Sequence, residues 1–136
     1  MQPHVYEYAV IRVVPQVERE EFLNVGVILF CKPLRFVRMR YALDRARLEA
    51  FAPGADYAQI ERNLDSFEKI ARGDADGGPI AKEDAASRFR WLTALRSSVI
   101  QTSRPHPGLC TEPAQAVDRL FDELVRVRNT DGAAGQ

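Results

Sequence analysis

The chain has 136 residues, 46% of them hydrophobic, with 19 basic and 19 acidic side chains that cancel. That length and apolar content fit one folded domain with its own core and exclude a disordered chain. The balanced charge argues against a global electrostatic grip on nucleic acid, and the longest unbroken apolar run, Val25 to Cys31, is too short to span a bilayer.

Val5 to Val14 is rich in β-branched and aromatic residues and predicts a first strand, stopped by Pro15. A charged corner, Gln16 to Glu21, leads into a second strand over Asn24–Cys31. This strand is apolar at almost every position and is expected to be central or covered on both sides. Lys32 to Arg35 forms a turn. Phe36 to Ala42 then alternates strictly, with Val37, Met39 and Tyr41 on one face and Phe36, Arg38 and Arg40 on the other. Such short connections imply an antiparallel meander.

Helical signals follow. Asp44 can cap a short helix ending near Phe51, before Pro53-Gly54. From Asp56 onward, Tyr57, Ile60, Leu64, Phe67 and Ala71 form one apolar stripe, with Asp56 and Gln59 as a capping box and Gly73 as the stop. Asp65–Lys69 and Glu68–Arg72 are spaced as ion pairs on the wet face. Gly73 to Gly78 carries no hydrophobic anchor and is expected to be a mobile loop. A helix over about 82–92, a fourth strand over 98–102, a rigid Pro105–Gly108 segment and a last helix over about 113–128 complete the series. The expected architecture is an α+β fold: a meander sheet of three to four strands packed against three to four helices. Residues 1–128 form the single domain and 129–136 a disordered tail.

The opening residues lack a charged n-region and an apolar h-region, and two cysteines cannot staple a domain of this size. The expected location is therefore cytoplasmic, with Cys31 acting as a small hydrophobe. No phosphate-loop, dinucleotide, C-x-x-C or H-E-x-x-H motif is present, so no catalytic residue, metal site or cofactor is implied. His106 precedes Cys110 by four residues, but the intervening Pro107-Gly108 breaks the helical spacing a thiol–imidazole pair would need.

Two segments hold the candidate binding residues. In the first, Arg19, Glu21 and Asn24 can wall a polar pocket at the rim of the sheet, or else form a salt-bridged turn. Gly26 within the strand predicts a bulge or a close backbone approach. The second runs from Ser87 to Cys110 without an acidic residue and carries Arg88, Arg90, Arg96 and Arg104 beside Ser97, Ser98, Thr102 and Gln101. Uncompensated arginines near hydroxyls suit a phosphate or carboxylate. Trp91 suits stacking on a base, although core packing is its commoner task. Arg88 and Arg90 point in different directions on a helix and cannot make one clamp.

Glu18-Arg19-Glu20-Glu21-Phe22-Leu23-Asn24-Val25-Gly26-Val27-Ile28-Leu29, preceded by Tyr8-Ala9-Val10-Ile11-Arg12, resembles the opening of the bacterial domain of unknown function 3037 family. Arg88-Phe89-Arg90-Trp91-Leu92, Arg96-Ser97-Ser98-Val99-Ile100-Gln101 and Gly108-Leu109 are similar to its other signature. Leu95 and Ser98 depart from the commoner Pro and Thr, which bears on local turn geometry. The resemblance implies no activity or cofactor. It implies a small companion protein, with a HipA-like kinase as its partner.

The expected function is thus a non-catalytic protein-interaction module using Arg38, Arg40 and the Arg96 segment, with a phosphate-ligand or nucleic-acid binder as the alternative. A small hydrolase would need Glu20 or Glu21 beside a metal. Asn24 and Gln101 as neighbours in one cleft would favour a ligand site. No membrane partner is expected, and the sequence leaves homo-oligomerisation open.

Overall fold

The structure is a computed structural model that describes residues 2–96 and 98–126. Strands β1 (His4–Val13), β2 (Leu23–Cys31) and β3 (Phe36–Tyr41) form the expected antiparallel meander. On the other edge of β1 lie β4 (Ile100–Thr102), paired to Ile11–Val13, and β5 (His106–Cys110), paired to His4–Tyr8. The sheet is therefore five-stranded, in the order β3-β2-β1-β4 with β5 continuing the β4 edge.

Ser103 joins β4 to β5. Its Oγ accepts from Val10 N at 2.9 Å and its own N–H donates to Val10 O at 2.8 Å, so β1 keeps its hydrogen bonds across the break. Pro105 to Gly108, expected to be a rigid, extended or turning segment, is extended from His106 onward, and because an edge strand tolerates proline it pairs as β5.

Helices α1 (Arg45–Phe51), α2 (Tyr57–Arg72) and α3 (Ala85–Leu92) cover one face of the sheet and α4 (Pro113–Leu124) covers the other. Each of the first three starts on an aspartate that accepts from a backbone N–H three residues on: Asp44 from Arg47, Asp56 from Gln59 and Asp84 from Ser87. Gly73 ends α2 at φ 70°, a left-handed position that suits glycine. Gln59 does not complete the capping box; its side chain instead bonds Asn63 and Arg62. Both ion pairs expected on α2 form, Lys69–Asp65 at 3.5 Å and Arg72–Glu68 at 3.2 Å.

The segment Gly73 to Gly78, expected to be a loop, contains one short 3-10 turn, Ala75–Gly77, and a second, Pro79–Lys82, follows it. Asp74 caps the first, and Ala81, which lies beyond the glycines, supplies a buried anchor. The third helix begins at Ala85, later than the spacing implied, because Glu83 and Asp84 are extended and Asp84 caps it. Arg128 and the tail lie outside the described residues.

The two faces of β2 change hands at a bulge. Ile11 pairs Gly26 and Arg12 pairs Asn24, which leaves Val25 as the extra residue. Leu23 and Val25 thereby join the core beneath α1–α3 together with Ile28 and Phe30, while Val27, Leu29 and Cys31 face α4. Without the bulge, period-two alternation would send Leu23 and Val25 to the same face as Val27. Gly26 is required at this place: a Cβ there would lie 2.8 Å from Arg40 O and 2.9 Å from Tyr41 Cβ.

Candidate interaction site

The residues singled out from the sequence fall in three places. The first is the corner after β1. Arg19 sends Nε and Nη2 to the two carboxylate oxygens of Glu21 at 2.8 and 3.1 Å, a forked pair in the open. The hydrogen bond and charge of Arg19 hold the Glu21 carboxyl below its ordinary range, and Glu21 raises Arg19 in return. This pair stands at the rim of a cleft of about 530 Å³, which lies between the β1–β2 corner and the α1–α2 connection. Phe51, Pro53, Ile60 and Val99 give the cleft apolar surface; Gln59 and Asn63 give it amides. The volume lies in the range of small-ligand and peptide-anchor pockets. Val99 belongs to the second sequence segment, so the two segments meet here.

The second place is the face under α4. Asn24 (β2), Arg12 (β1) and Gln101 (β4) stand in one row across three strands. Asn24 and Gln101 therefore share a face but are not neighbours, because Arg12 lies between them beneath the ring of Phe22 at 3.9 Å. Asn24 is committed elsewhere: Nδ2 donates to Leu124 O at 3.2 Å and so caps the C-terminus of α4. Arg47 does the same for Val125 O. Gln101 Nε2 donates to Ser98 O at 2.9 Å, and Ser98 Oγ donates to Ile100 O at 2.7 Å, so both stabilise the turn into β4.

Arg40, on the same face, pairs Asp118 at 2.7 Å and lies over Phe121 at 4.3 Å. Arg38 is exposed, 5.0 Å from the Phe36 ring. These two arginines point to the α4 side of the sheet, away from the Arg96 segment.

The third place is the end of α3. Arg96 lies over both Trp91 (4.7 Å) and Phe67 (4.9 Å), and Nη2 donates to Trp91 O. Burial of the group lowers its guanidinium's pKa. No carboxylate among the described residues forms an ion pair with it. Trp91 meets Phe67 edge-on at 6.1 Å yet remains 40% exposed, and Leu95 is 100% exposed. The expectation that Trp91 packs in the core is thus corrected: Phe89 and Leu92, three residues apart, take the buried positions of α3, and Trp91 falls outside that stripe, against Phe67 of α2. Ser97 lies outside the described residues.

Arg88 and Arg90 diverge as expected, to Glu83 O and to Ser87 Oγ. Among the described residues no group of three or more His, Cys, Asp or Glu side chains is placed to hold a metal, and no helix is long and apolar enough to cross a membrane.

Sequence reasoning missed Leu95 as a surface residue, Phe67 as the support of Arg96 and Trp91, and Asn63 as a lining residue of the cleft. A large apolar residue directly after a predicted helix end, with no periodic place in the next element, was the available signal for Leu95.

The chain belongs to the DUF3037 family, described as proteins of unknown function, whose profile matches residues 8–125. No curated protein and no solved structure matches it.

Proposed function

We propose that this domain is a non-catalytic accessory module that binds another protein through the surface at the end of α3. One observation carries the reading: Leu95 stands fully in solvent beside a half-exposed Trp91 on which Arg96 is stacked. Trp and Arg are the residue types that dominate interface energetics, and they act best when flanked by apolar contacts that exclude water. Burial of an exposed Leu side chain stabilises a complex by about 1.5–3 kcal/mol. The partner that the family resemblance points to is a HipA-like kinase.

The test is capture of the tagged full chain from its native host, with and without nuclease, using the wild type and the variants Leu95→Asp and Arg96→Glu. A stoichiometric protein partner that survives nuclease and is lost with both variants supports the reading. A partner held equally by both variants removes this surface.

The alternative is a nucleic-acid or phosphate binder, and exposure of the Trp91 ring favours it, since such a ring can stack on a base. That reading requires binding that falls steeply with added salt. The chain's balance of 19 basic and 19 acidic side chains opposes it, since such binders carry a basic excess.

A further inference from the structure

The 530 Å³ cleft and the Arg96 cluster are two ends of one surface. Gln59 and Asn63 line the cleft, and Phe67 follows them on α2 at the same four-residue interval, so the three share one side of the helix. The cleft's apolar walls therefore lead, by way of the Asn63 amide, to the ring of Phe67 that carries Arg96. Asn63 accepts from Gln59 through Oδ1 at 3.1 Å, which leaves its NH2 group to donate outward. At the far end, a partly desolvated guanidinium rests on two aromatic rings with no acid among the described residues to pair it.

We propose that this groove takes a short extended segment of a protein partner that places an apolar side chain in the cleft and a carboxylate on Arg96. The proposal rests on the interaction-module reading and specifies the partner's chemistry. The spacing follows from the helix. Ile60 to Phe67 spans seven residues, roughly 10 Å along the axis at ~1.5 Å each. An extended chain covers that distance in about three residues at ~3.3 Å each. The segment therefore carries its apolar anchor and its Asp or Glu about two to four residues apart.

A single carboxylate suits the groove better than a polyanion does. Glu21 and Asp56 border the cleft, so repeated phosphates would meet repulsion there.

The experiment is selection of a displayed random twelve-residue peptide library on the folded full chain, followed by fluorescence-polarisation titration of the enriched peptides. The expected result is enrichment of an apolar residue spaced two to four positions from Asp or Glu. Replacing that acid with its amide should weaken binding at least tenfold to the wild type and leave binding to Arg96→Gln unchanged. Val99→Asp, which alters the cleft wall without touching Arg96, should weaken binding as well.

Absence of enrichment, enrichment of basic peptides, or equal affinity for wild type and Arg96→Gln would overturn the proposal. So would displacement of the enriched peptides by a twelve-nucleotide oligothymidylate. If the captured partner still depends on Leu95 and Arg96 while no short acidic peptide binds, the groove falls and the interaction-module reading stands.

Discussion

Replacement of Gly26 by Ala and by Val should destabilise the domain in the order opposite to strand propensity. Propensity alone ranks Val above Ala above Gly in a strand, and Ala recovers about 0.5–1 kcal/mol of backbone entropy over Gly. At this position the added Cβ would lie 2.8 Å from Arg40 O and 3.3 Å from Tyr41 Cα, both backbone atoms of the neighbouring strand. Neither can rotate away as a side-chain tip would, so β3 has to move. Overpacking of this kind costs roughly 1–3 kcal/mol, which leaves a net loss of up to about 2.5 kcal/mol for Ala and a larger one for Val. For a domain of this size each kcal/mol lowers Tm by about 3–5 °C, so Gly26→Ala should melt up to roughly 12 °C lower. Urea titration followed by the fluorescence of the lone tryptophan gives the free energies, and amide exchange along β3 locates the loss. Unchanged or increased stability in Gly26→Val would refute the claim that Gly26 is needed for β2 and β3 to approach here.

Two further perturbations test the anchors of the helices. Asn24→Ala should cost about 1–2 kcal/mol in urea titration, since it leaves Leu124 O without its donor, and Asn24→Asp should not restore the loss because a carboxylate cannot donate. Asp84 caps α3, and the bond from Ser87 N lowers its pKa below the ordinary value. A folded-state pKa below the unfolded one means that the cap's charge stabilises the fold above the unfolded pKa and that this is lost as pH falls through the folded one. The stability difference between wild type and Asp84→Asn, read from denaturation at a series of pH values, should therefore shrink in acid; a difference that holds or grows there would contradict the assignment.

Most of the fold was legible because local chemistry and the global arrangement agree. The aspartate caps Asp44 and Asp56, the glycine stop after α2, the period-two alternation of Phe36–Tyr41 and the unbroken apolar character of β2 each point to what formed. What escaped was set by partners distant in sequence. Asn24 reads as a turn residue, yet its amide serves a carbonyl 100 residues away. His106–Cys110 contains Pro and Gly and has poor intrinsic strand character; it pairs because β1 offers a free edge beyond Ser103. Arg40 reads as an exposed charge, and only the position of α4 turns it toward Asp118 and Phe121.

The arginine excess divides by face, and the division bears on where function lies. Around α4 the guanidinium groups are occupied in seating that helix: Arg40 on Asp118, Arg47 on Val125 O, Arg119 on Tyr6 Oη and Glu123, Arg126 on Asp122. On the opposite face Arg72 and Arg88 hold the turns after α2. Stacking on an aromatic ring without an acid does not by itself mark a site, because Arg45 on Tyr57 and Arg12 under Phe22 share it. Arg12 has its Nε shut away from solvent, and Arg45 has no large exposed apolar neighbour in its helix. Arg96 differs in combining a charge without an acidic partner among the described residues, two aromatic supports and adjacent apolar side chains that remain in water. Leaving Leu95 and Trp91 in water costs the isolated chain solubility, and the proposed partner surface would cover both. If Leu95→Asp raises the solubility of the isolated domain without lowering its stability, that cost is one the domain carries for a partner. A loss of stability in that variant would instead place Leu95 in the fold's own packing.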